Sequence, residues 1–129
     1  MVAYVQFDNY DDAMKGLNEN ERASLIVDVT KAIGGWVEDV HGYFQKYTED
    51  MFVVGMSRKG LTDTISKKFQ VLDRVREIKS GNRVSPTISI GVAADGRNLA
   101  ELSQKAQAAL DLALGPGRGP GRWSSWETI

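Results

Sequence analysis

Three carboxylates stand where they could act together. Asp8 directly follows the apolar run Val2 to Phe7, and the adjacent pair Glu49 and Asp50 sits in the short connection between "GYFQ" and "FVVGM". Acids in turns have an ordinary use, since Asp bonds its own backbone and accepts turn dihedrals. Carboxylates gathered from distant stretches suit a different chemistry. Mg²⁺ takes one or two of them and completes its shell with water and phosphate oxygens, so such a site reads as a place for a nucleoside triphosphate. Spacing alone leaves both readings open.

The elements that must position these acids are legible from periodicity. Val2 to Phe7 is apolar apart from Gln6, as expected of an interior strand. Asp8 or Asn9 could then cap a short helix within "DNYDDAMKGLN". From Asn20 a helix is expected, with Leu25, Val29, Ala32, Ile33, Trp36, Val37 and Val40 on one stripe, and Gly34-Gly35 weakening its middle. Two strands follow, about Gly42 to Tyr47 and Met51 to Met56, joined through Thr48-Glu49-Asp50. A second helix carries Leu61, Ile65, Phe69, Leu72, Val75 and Ile78 on its stripe and ends at Gly81-Asn82. "SPTISIGVAA" is a fourth strand with Pro86 at its entrance, and a third helix, Asn98 to Leu114, buries Leu99, Leu102, Ala106, Leu110 and Ala113.

The order strand, helix, strand, strand, helix, strand, helix is the ferredoxin-like plan with an added C-terminal helix, an α+β fold. Its antiparallel sheet runs 4-1-3-2, which brings Asp8 and the Glu49-Asp50 turn out at the same edge. His41 falls at a helix exit, where a cation is welcome, and reads as structural. Arg74, Arg76, Lys79 and Arg83 form a basic flank that reads as a solvated face. Residues 1–114 are read as one domain and the Gly/Pro-rich 115–129 as a flexible or artificial tail.

Bulk properties exclude other classes. In 129 residues, 17 acids face 16 bases, so no overall field draws the chain to nucleic acid or to an anionic membrane. With no cysteine and a single histidine there is no thiolate catalysis, disulfide or His/Cys metal cluster, and a cytoplasmic context is favoured over a secreted one. No apolar run is long enough to span a bilayer. From its abrupt apolar start the chain is expected to be a domain cut from a longer protein.

"VAYVQFDNY", "KYTEDMFVV", "PTISIGVA" and "LAELSQKAQAALDLAL", in that order, resemble the GGDEF domain of diguanylate cyclases, with agreement over about residues 2 to 114. That family ends its first strand in Asp-x-Asp-x-Phe, carries Arg-Tyr-Gly-Gly-Asp-Glu-Phe in the hairpin, and reads Thr-x-Ser-x-Gly in a later strand. Lys46-Tyr47 fills the Arg-Tyr positions, Thr48 and Glu49 stand for the two glycines, Asp50 matches the metal-binding acid and Met51 replaces the following Glu. Gln6 takes the place of the first metal-binding Asp, Asp8 that of the second and Tyr10 the aromatic place. The guanine-contacting Asn falls near Met14, and no Arg-x-x-Asp inhibitory site precedes the hairpin. A cyclase needs two metals. The ligand set is depleted, which argues against an active cyclase.

This degeneration is similar to the GGDEF domain of membrane-anchored cyclic-di-AMP phosphodiesterases of the GdpP or YybT type, whose chains also hold a PAS domain and a DHH-type catalytic module. The resemblance implies a regulatory domain, on the cytoplasmic side of a cell-membrane protein, that binds ATP or a related nucleotide with Mg²⁺ (or Mn²⁺) and hydrolyses it slowly. Asp50 and Asp8 would hold the metal, Glu49 would orient a water beside Asp50, Lys46 or Lys105 would neutralise charge, and Tyr10, Thr48 and Lys46 would meet the nucleotide. The alternative is a non-catalytic relay or dimerisation module contacting the neighbouring PAS and DHH-type domains or a second copy. No nucleic acid and no direct membrane contact are expected. A small-molecule sensor on the same plan wants a glycine-rich loop after strand one, which "DNYDDAMKG" does not supply; Trp36 and Met14 fit core positions better than a pocket.

Overall fold

A strand with alternate residues on two faces organises the molecule. In the computed structural model, which describes residues 1–79, 81–94, 97–114 and 123–125, β1 (Val2–Phe7) turns Ala3, Val5 and Phe7 into the main core. Val2 and Tyr4 face the other side of the sheet, and by the same alternation so does Gln6. The chain continues through α1 (Tyr10–Met14), α2 (Glu19–Asp39), β2 (Tyr43–Thr48), β3 (Met51–Gly55), α3 (Arg58–Ser66), α4 (Gln70–Arg76), β4 (Ile88–Ala93), α5 (Leu99–Ala113) and β5 (Trp123–Ser125). The sheet order is β2-β3-β1-β4-β5, so the four antiparallel strands have the arrangement expected from the sequence. β1 is central. Gln6 stands opposite Met51 of β3 on one side and Ser89 of β4 on the other.

α2 starts on a capping box: the Asn18 side chain accepts from Glu21 N at 2.8 Å, and the Glu21 carboxylate accepts from Asn18 N at 3.1 Å. Its Leu25, Val29, Ile33, Trp36 and Val37 are buried against the sheet with Ile88, Ile90 and Val92. Each such fully buried aliphatic side chain contributes about 1.5–3 kcal/mol. Gly34 does not interrupt the helix; its missing side chain admits the Phe44 ring, 3.4 Å from where a Cβ would lie. Trp36 and Met14 both lie in this core, as their helix positions indicate.

The opposite face carries α5, seated on β4 and β1. A Cβ on Gly91 would fall 2.1 Å from Leu110 N and 2.5 Å from Ala106 O, so a bare α-carbon is what lets the helix backbone lie on the strand. Ala106, Leu110 and Ala113 are buried there, but Leu99, expected on the buried stripe, is 66% exposed at the first turn.

The helix expected from Leu61 to Ile78 is two helices. α3 ends in a Schellman arrangement in which Lys68 N donates to Ile65 O and Phe69 N to Thr64 O, both at 2.9 Å, with Lys68 in the left-handed region (φ 56°). Phe69 is left-handed as well (φ 50°). Its ring, fully buried, stacks on Trp123 at 4.2 Å and lies 6.5 Å from Trp36, and that aromatic packing offsets the backbone cost. α2 closes in the same way, with His41 (φ 54°) at the position glycine usually fills and Gly42 N donating to Val37 O. α4 ends at Arg76, so Gly81-Asn82 does not terminate it. Asn82 instead donates to the carbonyls of Asp12, Ala13 and Lys15, closing the C-terminal end of α1.

The tail expectation falls largely on residues 115–122 and 126–129, outside the described residues. Between them, Trp123–Ser125 pairs parallel with β4, with Trp123 opposite Ile90. On the basic flank, Arg74 meets Asp39 at 3.7 Å and Arg76 meets Asp73 at 3.3 Å. Such exposed pairs are worth little.

Candidate functional site

The carboxyl end of β1 and the β2–β3 turn meet through the backbone: Phe7 N donates to Asp50 O at 2.7 Å, one step past the Gln6–Met51 pair. The register of β2 against β3 shifts between Lys46 and Thr48, so Tyr47 is left out of the pairing. Thr48 is thereby turned onto Asp50, and its hydroxyl donates to Oδ1 at 2.9 Å. Gln6 Nε2, arriving from the neighbouring strand, donates to Oδ2 at 2.9 Å. Each Asp50 oxygen thus accepts one neutral donor and keeps a lone pair.

Asp8 is anchored to β4. Its N–H donates to Thr87 O at 3.1 Å, and its two carboxylate oxygens accept hydrogen bonds from the hydroxyls of Thr87 and Ser89. The reading of Asp8 as a helix cap is therefore corrected: the capping position of α1 belongs to Asn9, and neither side chain caps the helix. Asn9 instead donates to Ser85 O at 2.8 Å and accepts from Thr87 N at 2.9 Å, fastening the exit of β1 to the entrance of β4.

Asp8 and Asp50 line the same open hollow, of about 550 Å³, with Gln6, Phe7, Asn9, Tyr10, Asp11 and Asp12. The structure brings these two acids to one place. Glu49, exposed, lies beyond that lining, with Tyr10 Oη 3.5 Å from its Oε2, a long contact. Lys46 is exposed on β2, and Lys105 pairs with Glu101 at 3.3 Å on α5; neither lines the hollow. The Tyr10 ring packs edge-on against Phe7 at 5.3 Å. Partial burial, and then the Glu49 carboxylate, raise its phenol above the ordinary value of 10.0.

Among the described residues no three acids or histidines are arranged to hold a metal ion. Asp8 and Asp50 supply hard carboxylate oxygens of the type that Mg²⁺ takes, one or two at a time, alongside water and phosphate. Sequence reasoning missed Gln6 as a partner of Asp50, Thr87 and Ser89 as partners of Asp8, and Asp11 and Asp12 as lining. One signal was available: Thr87 and Ser89 stand two residues apart at the start of an apolar run that reads as a strand, whose alternation would turn them to one side.

This sheet, with its hairpin against the end of β1, defines the class of GGDEF-type domains. The structure titled as the active GGEEF domain of a diguanylate cyclase from Vibrio cholerae superposes with a TM-score of 0.80, covering 99% of this chain and 83% of that one at 13% identity, which fixes the fold. Residues 5–119 match the family described as the GGDEF domain of cyclic-di-AMP phosphodiesterase GdpP-like proteins, and the chain belongs to that family. It is 36% identical over 117 residues to cyclic-di-AMP phosphodiesterase GdpP of Bacillus subtilis, and 34% identical over 117 residues to cyclic-di-AMP phosphodiesterase PdeA of Listeria monocytogenes. Each alignment takes in 91% of this chain, which spans 18% of the length of either relative. No helix among the described residues is long and apolar enough to cross a membrane.

Proposed function

We propose that this domain is the nucleotide-binding regulatory part of a larger cyclic-di-AMP phosphodiesterase, and that it binds ATP with a single Mg²⁺ and hydrolyses it slowly. The observation that carries this reading is the shared hollow: Asp8 and Asp50, from different strands, both line it. Mg²⁺ held by these two acids would neutralise phosphate charge. Glu49, beside Asp50 in the turn, serves as the acceptor that orients a water, and Tyr10 offers a ring edge and a neutral phenol to the base. Lys46 and Thr48, on β2 outside the lining of the hollow, would meet phosphates that reach toward the turn. Cyclase activity is not part of this reading, because Gln6 places an amide against Asp50 where a second cation would need a carboxylate. The parent chain carries the phosphodiesterase module, with this domain on the cytoplasmic side of the membrane beside PAS and DHH-type neighbours.

Calorimetric titration of ATP with and without Mg²⁺, with phosphate release followed for wild type and Asp50→Asn, tests the proposal. Metal-dependent binding that Asp50→Asn abolishes is the expected result. A second reading, a relay or dimerisation module that binds no nucleotide, draws on the absence of a three-acid metal cluster among the described residues; it predicts no binding at millimolar ATP.

A further inference from the structure

The carboxylates of Asp8 and Asp50, both lining the hollow, share one pattern. Asp50 Oδ2 accepts from Gln6 Nε2 and Oδ1 from Thr48 Oγ1; Asp8 Oδ1 accepts from Thr87 Oγ1 and Oδ2 from Ser89 Oγ. All four donors are neutral. These donors hold the carboxylates in place without themselves cancelling their charge.

The two β4 donors are the better held. Ser89 is fully buried within β4, all of whose residues are buried, and Thr87, just before that strand, is 8% exposed. A buried hydroxyl is costly unless bonded, and Asp8 accepts from both. Gly91, on the same face of β4 as Ser89, lets the α5 backbone lie close against the strand. The Asp8 carboxylate is thus held by two hydroxyls, one at the entrance of the buried strand β4 and one within it.

Resting on the single-cation reading above, we infer that Thr87 and Ser89 are positioning residues that orient Asp8 toward the divalent ion. They do not touch the ion; they act through Asp8. Partners of this kind, hydrogen-bonded to a metal-ligating carboxylate, change metal affinity by about 10–100-fold when removed.

The test follows Mn²⁺ affinity by electron paramagnetic resonance in the presence of a non-hydrolysable ATP analogue, with urea unfolding run on the same samples. Thr87→Val, which keeps shape and removes the hydroxyl, and Ser89→Ala should each weaken Mn²⁺ binding about tenfold or more. Thr87→Ser, which restores a hydroxyl, should stay close to wild type. In an Asp8→Asn background the Val and Ala substitutions should change affinity no further, which a loss of general stability would not reproduce. Folded Thr87→Val and Ser89→Ala proteins that bind Mn²⁺ like wild type, while Asp50→Asn does not bind, overturn this inference and leave the site standing. No Mn²⁺ binding by wild type overturns the site and the inference together.

Discussion

Gln6 and Asp50 join the central strand to the hairpin turn by a side-chain hydrogen bond of 2.9 Å, alongside the backbone bond from Phe7 N to Asp50 O. The bond puts a neutral donor against one oxygen of an acid that faces an open, acidic hollow. Gln6→Glu would place a second carboxylate beside Asp50 and should leave the two repelling each other until a cation arrives. The expected outcome is a protein less stable than wild type by about 1–3 kcal/mol in chelator, from the lost bond to a charged group, with part of that loss recovered on adding Mn²⁺. Urea unfolding with and without the ion measures both.

Among the described glycines, Gly91 permits the closest approach. A methyl group there meets Leu110 N and Ala106 O, which are backbone atoms and cannot rotate away. Gly91→Ala should cost about 3 kcal/mol, at the upper end for overpacking. The measurement is the urea midpoint at unchanged slope.

Two left-handed residues differ in what a glycine would do. His41 is exposed and caps α2, so His41→Gly removes steric cost and should raise stability by about 0.5 kcal/mol, after the glycine's greater freedom in the unfolded chain is counted. Phe69 has nearly the same φ, but its ring fills the space between Trp36 and Trp123. Phe69→Gly should lose about 3–5 kcal/mol, in the range of large-to-small aromatic deletions. Thermal unfolding of the two variants should shift in opposite directions.

Tyr10 reports on the turn. Its phenol is raised above the unfolded value by burial and then by Glu49, so its contribution to stability is fully present below pH 10.0 and is lost as pH rises through the folded value. Glu49→Gln should lower the Tyr10 midpoint without returning it fully, because burial remains. Phenolate absorbance, with Tyr10→Phe subtracted to remove Tyr4, Tyr43 and Tyr47, reads the shift.

Much of this architecture is legible in the sequence because periodicity and burial coincide. The α2 stripe, the β1 run and the hairpin around Thr48 to Asp50 each carry one pattern with one solution, and the plan that joins them predicts that Asp8 and Asp50 share an edge. The break at Lys68-Phe69 was hidden because neither residue is Gly or Pro, and because Phe69 still points into the core from a left-handed backbone, preserving the stripe across two helices. β5 was hidden because one tryptophan, stacked on Phe69, holds a short strand within a Gly/Pro-rich stretch. In the site, the acids could be read and their partners could not. Donors such as Gln6 and Ser89 look like ordinary strand residues until the register puts them side by side.

The central claim, that Asp8 and Asp50 jointly hold one divalent ion, is tested most directly by a double-mutant cycle on Mn²⁺ affinity with Asp8→Asn, Asp50→Asn and the pair. The account predicts that either single substitution removes most of the binding and that the double adds little, because both acids serve the same ion. Additive losses, each acid contributing independently, would contradict it.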